Sequence, residues 1–147
     1  MADLTNATKT IRVMNAVAAG TTDQNSSIVD MAGFEGVRFI ALFGTLTATQ
    51  VTQIKVQQDT DSAGGTMADL AGSNTGPLAD GDGNKMLITE IVHPRERYVR
   101  CVVDRGTANA VIDGVIAELF GPAVEPVTAS STVSAQEVAL APAEGTA

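Results

Sequence analysis

Residues 36–59, GVRFIALFGTLTATQVTQIKVQQD, constrain the fold more than any other part of the chain, because they are typical of two β-strands joined by a polar turn. In the first strand, residues 37–43, every second side chain from Val37 onwards points to one face, while Ile40 and Leu42 point to the other. Both faces are therefore apolar. This pattern predicts a strand in the centre of a sheet.

The second strand, residues 53–58, alternates more strictly. Ile54 and Val56 share one side, and glutamine and lysine side chains occupy the other. Such alternation is typical of an antiparallel sheet with one side packed on a core and one side in water.

Short apolar alternations recur along the rest of the chain and are separated by Gly, Pro, Asn and Asp. Residues 110–120 also fit a helical spacing, but their β-branched residues favour a strand, with a bulge at Gly114. The series predicts an all-β protein, a single antiparallel β-sandwich or jelly-roll-like barrel of about seven or eight strands. The further predicted strands are residues 9–15, 26–31, 67–71, 86–92, 97–104 and 110–120.

Composition divides the 147 residues into three parts. Polar residues 1–10 predict an N-terminal arm, and residues 11–120 carry the β-sandwich domain, with a loop expected at residues 16–25. Residues 121–147 are rich in Ala, Pro, Val, Ser and Thr and contain no aromatic or basic side chain. They predict a flexible, extended or disordered tail that is long enough to lie across a neighbouring subunit.

Charge and cysteine usage narrow the class of protein. A net charge of −8 argues against direct nucleic-acid binding, which needs clustered Lys and Arg to neutralise phosphates. The chain begins without the features of a signal peptide and has no apolar run of membrane-spanning length, so we expect a soluble, unsecreted protein. Cys101 is the only cysteine and lies in an apolar run, which predicts a core residue of a protein made in a reducing compartment.

The sequence contains no recognisable catalytic or metal-binding constellation. Residues 80–84, DGDGN, begin like a calcium loop, but Lys85 and Ile91 stand where the motif needs glycine and glutamate, so a hairpin turn is the better interpretation. His93 is the single histidine and has no nucleophile placed to pair with it. We therefore expect no enzyme activity, no cofactor and no metal.

One segment concentrates positive charge in this acidic chain. Arg95, Arg97 and Arg100 lie beside Tyr98, and such arginines bind carboxylates bidentately. They form either a patch for an acidic partner or ion pairs within the chain. The candidate internal partners are Glu90, Asp104 and Glu118.

Three predicted strands, residues 37–43, 86–92 and 110–120, have more apolar surface than a two-layer sandwich buries. Each carries apolar side chains on both faces, including Ile40 and Leu42, whereas a sandwich buries one face of each sheet. An uncovered apolar face marks an interface, so we expect a symmetric homo-oligomer.

Five segments of the chain resemble a known protein family: IRVMNAVAAGTTDQNSSIVDMAGFEGVRFIALFG, TQIKVQQDTDS, DLAG, HPRERYVRCVVDR and AVIDGVIAELFGP. Together they resemble small virion proteins of tailed bacteriophages, of the head decoration or cement type, over residues 11–122. The resemblance implies a protein that is made in the host bacterial cytoplasm and binds the major capsid protein on the capsid exterior. It also implies trimers at local threefold positions that brace the lattice, and it transfers no ligand residues.

Two other functions fit the same sequence. A phage tail or head–tail joining component is a second structural function, and ring symmetry would distinguish it from a trimer. A ligand- or carbohydrate-binding β-sandwich module is a third, and it requires exposed aromatic side chains, for which Phe34 and Tyr98 are the candidates.

Overall fold

The computed structural model describes residues 3–146 as two antiparallel β-sheets packed face to face, which confirms the predicted all-β sandwich. In chain order the elements are α1 (Leu4–Ala7), β1 (Lys9–Met14), β2 (Val17–Gly20), β3 (Gln24–Asn25), β4 (Val29–Asp30), β5 (Phe34–Leu46), β6 (Val51–Asp59), β7 (Ala68–Asp69), β8 (Met86–Val92), β9 (Tyr98–Gly106) and β10 (Ala110–Pro122).

Sheet A has the strand order β1-β10-β5-β8, with β2 also paired to β10, and sheet B has the order β3-β9-β6-β7, with β4 also paired to β9. β5 therefore lies in the centre of sheet A, as its two apolar faces predicted. β5 and β6 do not pair with each other, because they belong to opposite sheets. The polar turn between them therefore crosses from one sheet to the other. The sequence does not show this crossing, because alternation along a strand shows which faces are apolar but not which strand lies beside it.

The core consists of the inward faces of the two sheets. Phe39 and Phe43 of sheet A and Ile54 of sheet B are among its largest fully buried side chains. Cys101 is buried in the same core, as predicted. A core of this kind is mostly aliphatic, and burial of each such side chain contributes about 1.5–3 kcal/mol.

Strand assignment was accurate for the long strands and less so for the short ones. Residues 86–92 form β8 with the predicted bounds, and β10 has a register shift between Ile112 and Gly114, which confirms the bulge. The strand predicted for residues 26–31 is too long: within that range only Val29–Asp30 form a strand, β4. The loop predicted for residues 16–25 contains β2 and β3.

The two chain ends contact each other. Residues 3–10 include α1 and the start of β1, while Met1, Ala2 and Ala147 lie outside the described residues. The amide of Val127 donates to the Asn6 carbonyl at 2.9 Å, and the amide of Arg12 donates to Thr132 Oγ1 at 3.0 Å. The first part of the C-terminal tail therefore follows the β1 edge of its own sheet.

Residues 60–85 close the opposite side of the sandwich. They contain the short β7, which lies within the predicted strand at residues 67–71. They continue along β6, where the amide of Leu78 donates to the Thr52 carbonyl at 2.8 Å. Thr89 Oγ1 of β8 donates to the Ser73 carbonyl at 3.0 Å. This segment thus connects the edges of the two sheets.

Candidate functional site

The outward face of sheet B is covered by polar side chains that bond to one another. Gln53 Nε2 donates to Asp104 Oδ2 at 3.0 Å, and Arg100 Nε donates to Gln57 Oε1 at 2.8 Å. Lys55 Nζ forms an ion pair with an Asp69 oxygen at 2.8 Å. Because these groups satisfy one another while partly exposed, this face is suited to contact with water.

The outward face of sheet A is apolar at its centre. Ile116, Ile40 and Ile88 stand directly opposite one another on β10, β5 and β8, and in the next row Leu42 stands opposite Met86. Ile88 is 40% exposed and Met86 52% exposed, while the other three are half-buried. Adjacent apolar side chains on three paired strands form one continuous surface, which we call the apolar face and define by these five residues.

Charged and aromatic side chains border the apolar face. Arg38 stands between Glu118 and Glu90 in the neighbouring row, with 3.9 Å between Arg38 Nη1 and Glu118 Oε2. Farther along, the Phe120 ring lies over Gly36, where any Cβ would overlap it. The glycine in β5 thus makes room for an aromatic side chain on the same side of the sheet as the apolar face.

The tail covers one margin of the apolar face. A cleft of about 230 Å³ separates Thr132 and Val133 of the tail from Leu42 and Ile116 of the sheet. The β8 side of the apolar face, with Met86 and Ile88, does not contribute to this cleft.

The predicted basic segment is partly neutralised within the chain. Arg97 donates from Nε and Nη2 to the two carboxylate oxygens of Asp30, both at 2.8 Å, and its guanidinium lies 5.3 Å from the centre of the Tyr98 ring. The bidentate bond to Arg97 holds the pKa of Asp30 below its usual value. Internal pairing is therefore found for Arg97, but the predicted partners Glu90, Asp104 and Glu118 are wrong.

The pairing of β4 with β9 explains this correction. It places Asp30 directly opposite Tyr98, one residue from Arg97. β4 has only two residues, too few to show an alternation, so no pattern in the sequence indicates that the Asp30 carboxylate lies beside Arg97.

The seven predicted interaction residues do not form one site. Ile40 and Leu42 lie on the apolar face, and Arg100 lies on the outward face of sheet B with its bond to Gln57. At one end of the sandwich a cleft of about 370 Å³ is lined by residues that include Phe34, Arg95 and Arg97. Tyr98 is placed beneath the Arg97 guanidinium rather than in an open groove.

Three residues of the apolar face, Met86, Ile88 and Ile116, are not among the predicted interaction residues, and neither is the exposed Val92 at the end of β8. The sequence of residues 86–92 does indicate Met86, Ile88 and Val92. In a strand with one face in water, the residues on that face are normally polar, and these three are apolar. The order of strands was needed to place them beside Ile40.

The candidate reactive and metal-binding residues are either buried or bonded to groups nearby. Burial raises the pKa of the Cys101 thiol to about 12, so the nucleophilic thiolate is not formed near neutral pH. Asp80 accepts a bond from the Thr49 amide at 2.9 Å, and Asp82 forms an ion pair with Lys85 at 2.6 Å. Residues 79–85 form a turn, but not the predicted hairpin, because they lead from the segment beside β6 in sheet B to β8 in sheet A.

Within residues 3–146, no group of three or more His, Cys, Asp or Glu side chains is placed to hold a metal ion. The same part of the chain contains no helix of the length and hydropathy that crossing a bilayer requires.

A scan against protein-family models and a search of curated proteins found no match to this chain.

Proposed function

We propose that this chain is a structural virion protein that binds the outside of a bacteriophage capsid and stabilises the capsid lattice, as decoration or cement proteins do. The observation that supports a binding role is the apolar face of sheet A, with Ile116, Ile40 and Ile88 in line across three strands. The sequence resemblance supports the capsid as the surface that is bound.

The difference between the two outward faces supports the direction of binding. Burial of apolar surface stabilises a contact by about 25 cal/mol per Å², whereas the mutually bonded polar groups of sheet B gain little by leaving water. An apolar centre with a charged border, here Arg38 and Glu118, has the anatomy of a protein interface. In our proposal sheet A faces the shell or a sibling subunit, and sheet B faces solvent.

The remaining parts of the proposal rest on the resemblance. They are the major capsid protein as partner, self-association as a trimer, location on the virion exterior and synthesis in the bacterial cytoplasm. Structural binding of this kind needs no catalytic group, no cofactor, no membrane contact and no direct contact with nucleic acid.

The ligand-binding alternative has weaker support. Phe34 lines the cleft at the end of the sandwich, but Tyr98, the second aromatic candidate, is covered on one side by Arg97. Sugar-binding grooves use open aromatic faces, and one half-buried phenylalanine offers little such surface.

The test is binding of the purified protein to capsids that lack it. Ile40→Asp places a charge in the middle of the apolar face on a half-buried side chain, and we expect capsid binding to fall at least tenfold in a co-sedimentation assay. Electron microscopy of capsids with and without the protein shows directly whether it occupies the exterior.

The matched control is Val51→Asp. Val51 is 44% exposed at the start of β6, so the same type of change is made on sheet B. If Ile40→Asp binds as the unmodified protein does and Val51→Asp does not, sheet A is not the binding surface. If the unmodified protein leaves capsids undecorated, the proposed function is wrong.

A further inference from the structure

The outer edge of β8 has unpaired backbone groups. The Phe43 amide donates to the Lys85 carbonyl at 3.0 Å and the His93 amide donates to the Glu35 carbonyl at 2.7 Å, so odd-numbered residues of this strand bond to β5. In an antiparallel pair the intervening residues direct their N–H and C=O groups away from the partner strand. Those residues are Met86, Ile88, Glu90 and Val92, and no strand of the described structure pairs with them on that side.

This edge carries one charged side chain, Glu90, and otherwise lacks the features that usually prevent strand addition. All seven pairs from Gly36–Val92 to Leu42–Met86 keep one register, so no bulge twists the edge away. Within β8 there is no lysine and no proline, and Met86, Ile88 and Val92 are 52%, 40% and 54% exposed. Long, regular and apolar edges are the ones that pair with another strand.

The other sheet edges are short or covered. The β1 edge bonds to the tail through Arg12 and Thr132, and β2 beside it has four residues. The edge strands β3, β4 and β7 of sheet B have two residues each. Among the described strands, β8 is therefore the long edge that remains open.

We propose that β8 pairs antiparallel with β8 of a second copy about a two-fold axis at Thr89, which joins two A sheets into one. In this register Ile88 bonds to Glu90 of the second copy and Met86 bonds to Val92 of the second copy. On the inward side Thr89 meets Thr89 of the second copy. Leu87 meets Ile91 there, so apolar side chains that are half-exposed in one copy are covered in two.

Neighbouring registers are less favourable. The backbone groups of the edge belong to even-numbered residues, so these residues must pair with one another. An axis at Ile88 places Leu87 opposite Thr89 instead of Ile91, and Val92 opposite Asn84 instead of Met86, so both apolar pairs are lost. An axis at Glu90 places two carboxylates directly opposite each other, which is destabilising.

Charge complementarity favours a second copy over an unrelated strand. Antiparallel pairing brings the turn before β8, which carries Asp80, next to the turn after β8, which carries Arg95. Arg95 is exposed and has no ion-pair partner among the residues of the described structure, and Asp80 is exposed too. The two-fold axis produces this acidic–basic contact twice.

The inference goes beyond the proposed function and does not depend on it. A two-fold contact at β8 forms an isolated dimer or joins two larger oligomers, and it leaves Arg38 and Glu118 at the border of the apolar face unpaired with the second copy. Capsid binding and edge pairing are tested by different variants.

The first experiment is a symmetric disulfide. Opposite residues in a non-hydrogen-bonded antiparallel pair have Cα atoms about 4.5 Å apart, within the range of about 4.4–6.8 Å that a disulfide needs. We expect Thr89→Cys to give a covalent dimer under mild oxidation. The buried native Cys101 does not compete.

Ile91→Cys is the matched control on the same strand and face. In the proposed register the two copies of residue 91 are offset by four residues, about 13 Å along the strand, which is too far for a disulfide. If Thr89→Cys forms no more covalent dimer than Ile91→Cys does, or if neither variant forms any, the proposed pairing is wrong.

The second experiment leaves Thr89 and its bond to Ser73 intact. Ile88→Pro removes an outward-pointing N–H and none of the bonds to β5, so the fold is retained while the edge loses a donor. In sedimentation velocity we expect the unmodified protein to associate and Ile88→Pro to associate at least tenfold more weakly.

Ile116→Lys is the control for stacking of the apolar face, since Ile116 lies on the same face two strands from the edge. We expect it to retain the two-fold association. Association that survives Ile88→Pro but is abolished by Ile116→Lys assigns the contact to the face and overturns edge pairing. A monomeric unmodified protein at about 100 µM overturns it as well, because this corresponds to a Kd weaker than about 10⁻⁴ M.

Discussion

Arg105 at the end of β9 is a charged residue in the interior, and its replacement tests how the two sheets are held together. Only 5% of it is exposed. Nε donates to the Thr22 carbonyl at 2.8 Å, and Nη1 donates to the carbonyls of Ala18 at 3.0 Å and Ala110 at 2.8 Å. One side chain thus ties the segment around β2 and β3 to the start of β10.

We expect Arg105→Met to lower the free energy of unfolding by about 2–4 kcal/mol. A hydrogen bond from a charged donor contributes about 1.5–3 kcal/mol, but Ala18 and Thr22 are exposed residues whose carbonyls can bond to water instead. Methionine also relieves the cost of burying the guanidinium, the desolvation that lowers the pKa of Arg105. The remaining loss is a large part of a typical stability of about 5–15 kcal/mol.

Urea unfolding followed by circular dichroism measures the change, and Arg100→Met is the matched control. Arg100 is half-buried on the outward face of sheet B with one bond from Nε to Gln57, and its loss should cost less than about 1 kcal/mol. If Arg105→Met and Arg100→Met reduce the free energy of unfolding equally, the buried hydrogen bonds of Arg105 do not stabilise the contact between the sheets.

Three further predictions concern buried side chains. The Thr52 hydroxyl is buried and has no hydrogen-bond partner within the described part of the chain, so Thr52→Val should raise the free energy of unfolding by about 1 kcal/mol in urea unfolding; a loss of stability would contradict this. Cys101 should not react with a thiol reagent at pH 8 until urea unfolds the protein, and rapid labelling of the folded protein would show that its site is open. The amides of Asp61 and Thr66 and the Thr66 hydroxyl bond to the Asp59 carboxylate and hold its pKa below the usual value. Because the folded pKa lies below the unfolded one, this contribution is present above the unfolded pKa of about 3.9 and is lost as the pH falls through the folded value. Asp59→Asn should therefore lose less stability between pH 7 and pH 3 than the unmodified protein, and an equal loss would contradict the assignment.

Local patterns predicted the long strands well because side-chain alternation depends on neighbours in the sequence. β8 has the bounds predicted for it, and the bulge of β10 occurs at Gly114. The short strands β3 and β4 have only two residues each, too few for alternation to appear, and their pairing with β9 depends on the distant backbone groups of that strand.

The sequence predicted that an apolar surface exists, but not where it lies in the fold. An excess of apolar side chains was evident for Ile40 and Leu42, and the structure places them on the apolar face. The internal partner of Arg97 was not predictable, because Asp30 reaches it only through the pairing of β4 with β9.

By itself, the amino-acid order determined that this chain is all-β, that β5 has two apolar sides and that Cys101 belongs to the core. Alternation with a period of two is a property of each strand alone, so it can be recognised without knowing the neighbours. Only the tertiary structure decided that β5 and β6 lie in opposite sheets and that β8 forms an edge. Strand order is set by backbone hydrogen bonds and packing between segments far apart in the chain, and these leave no periodic trace in either segment.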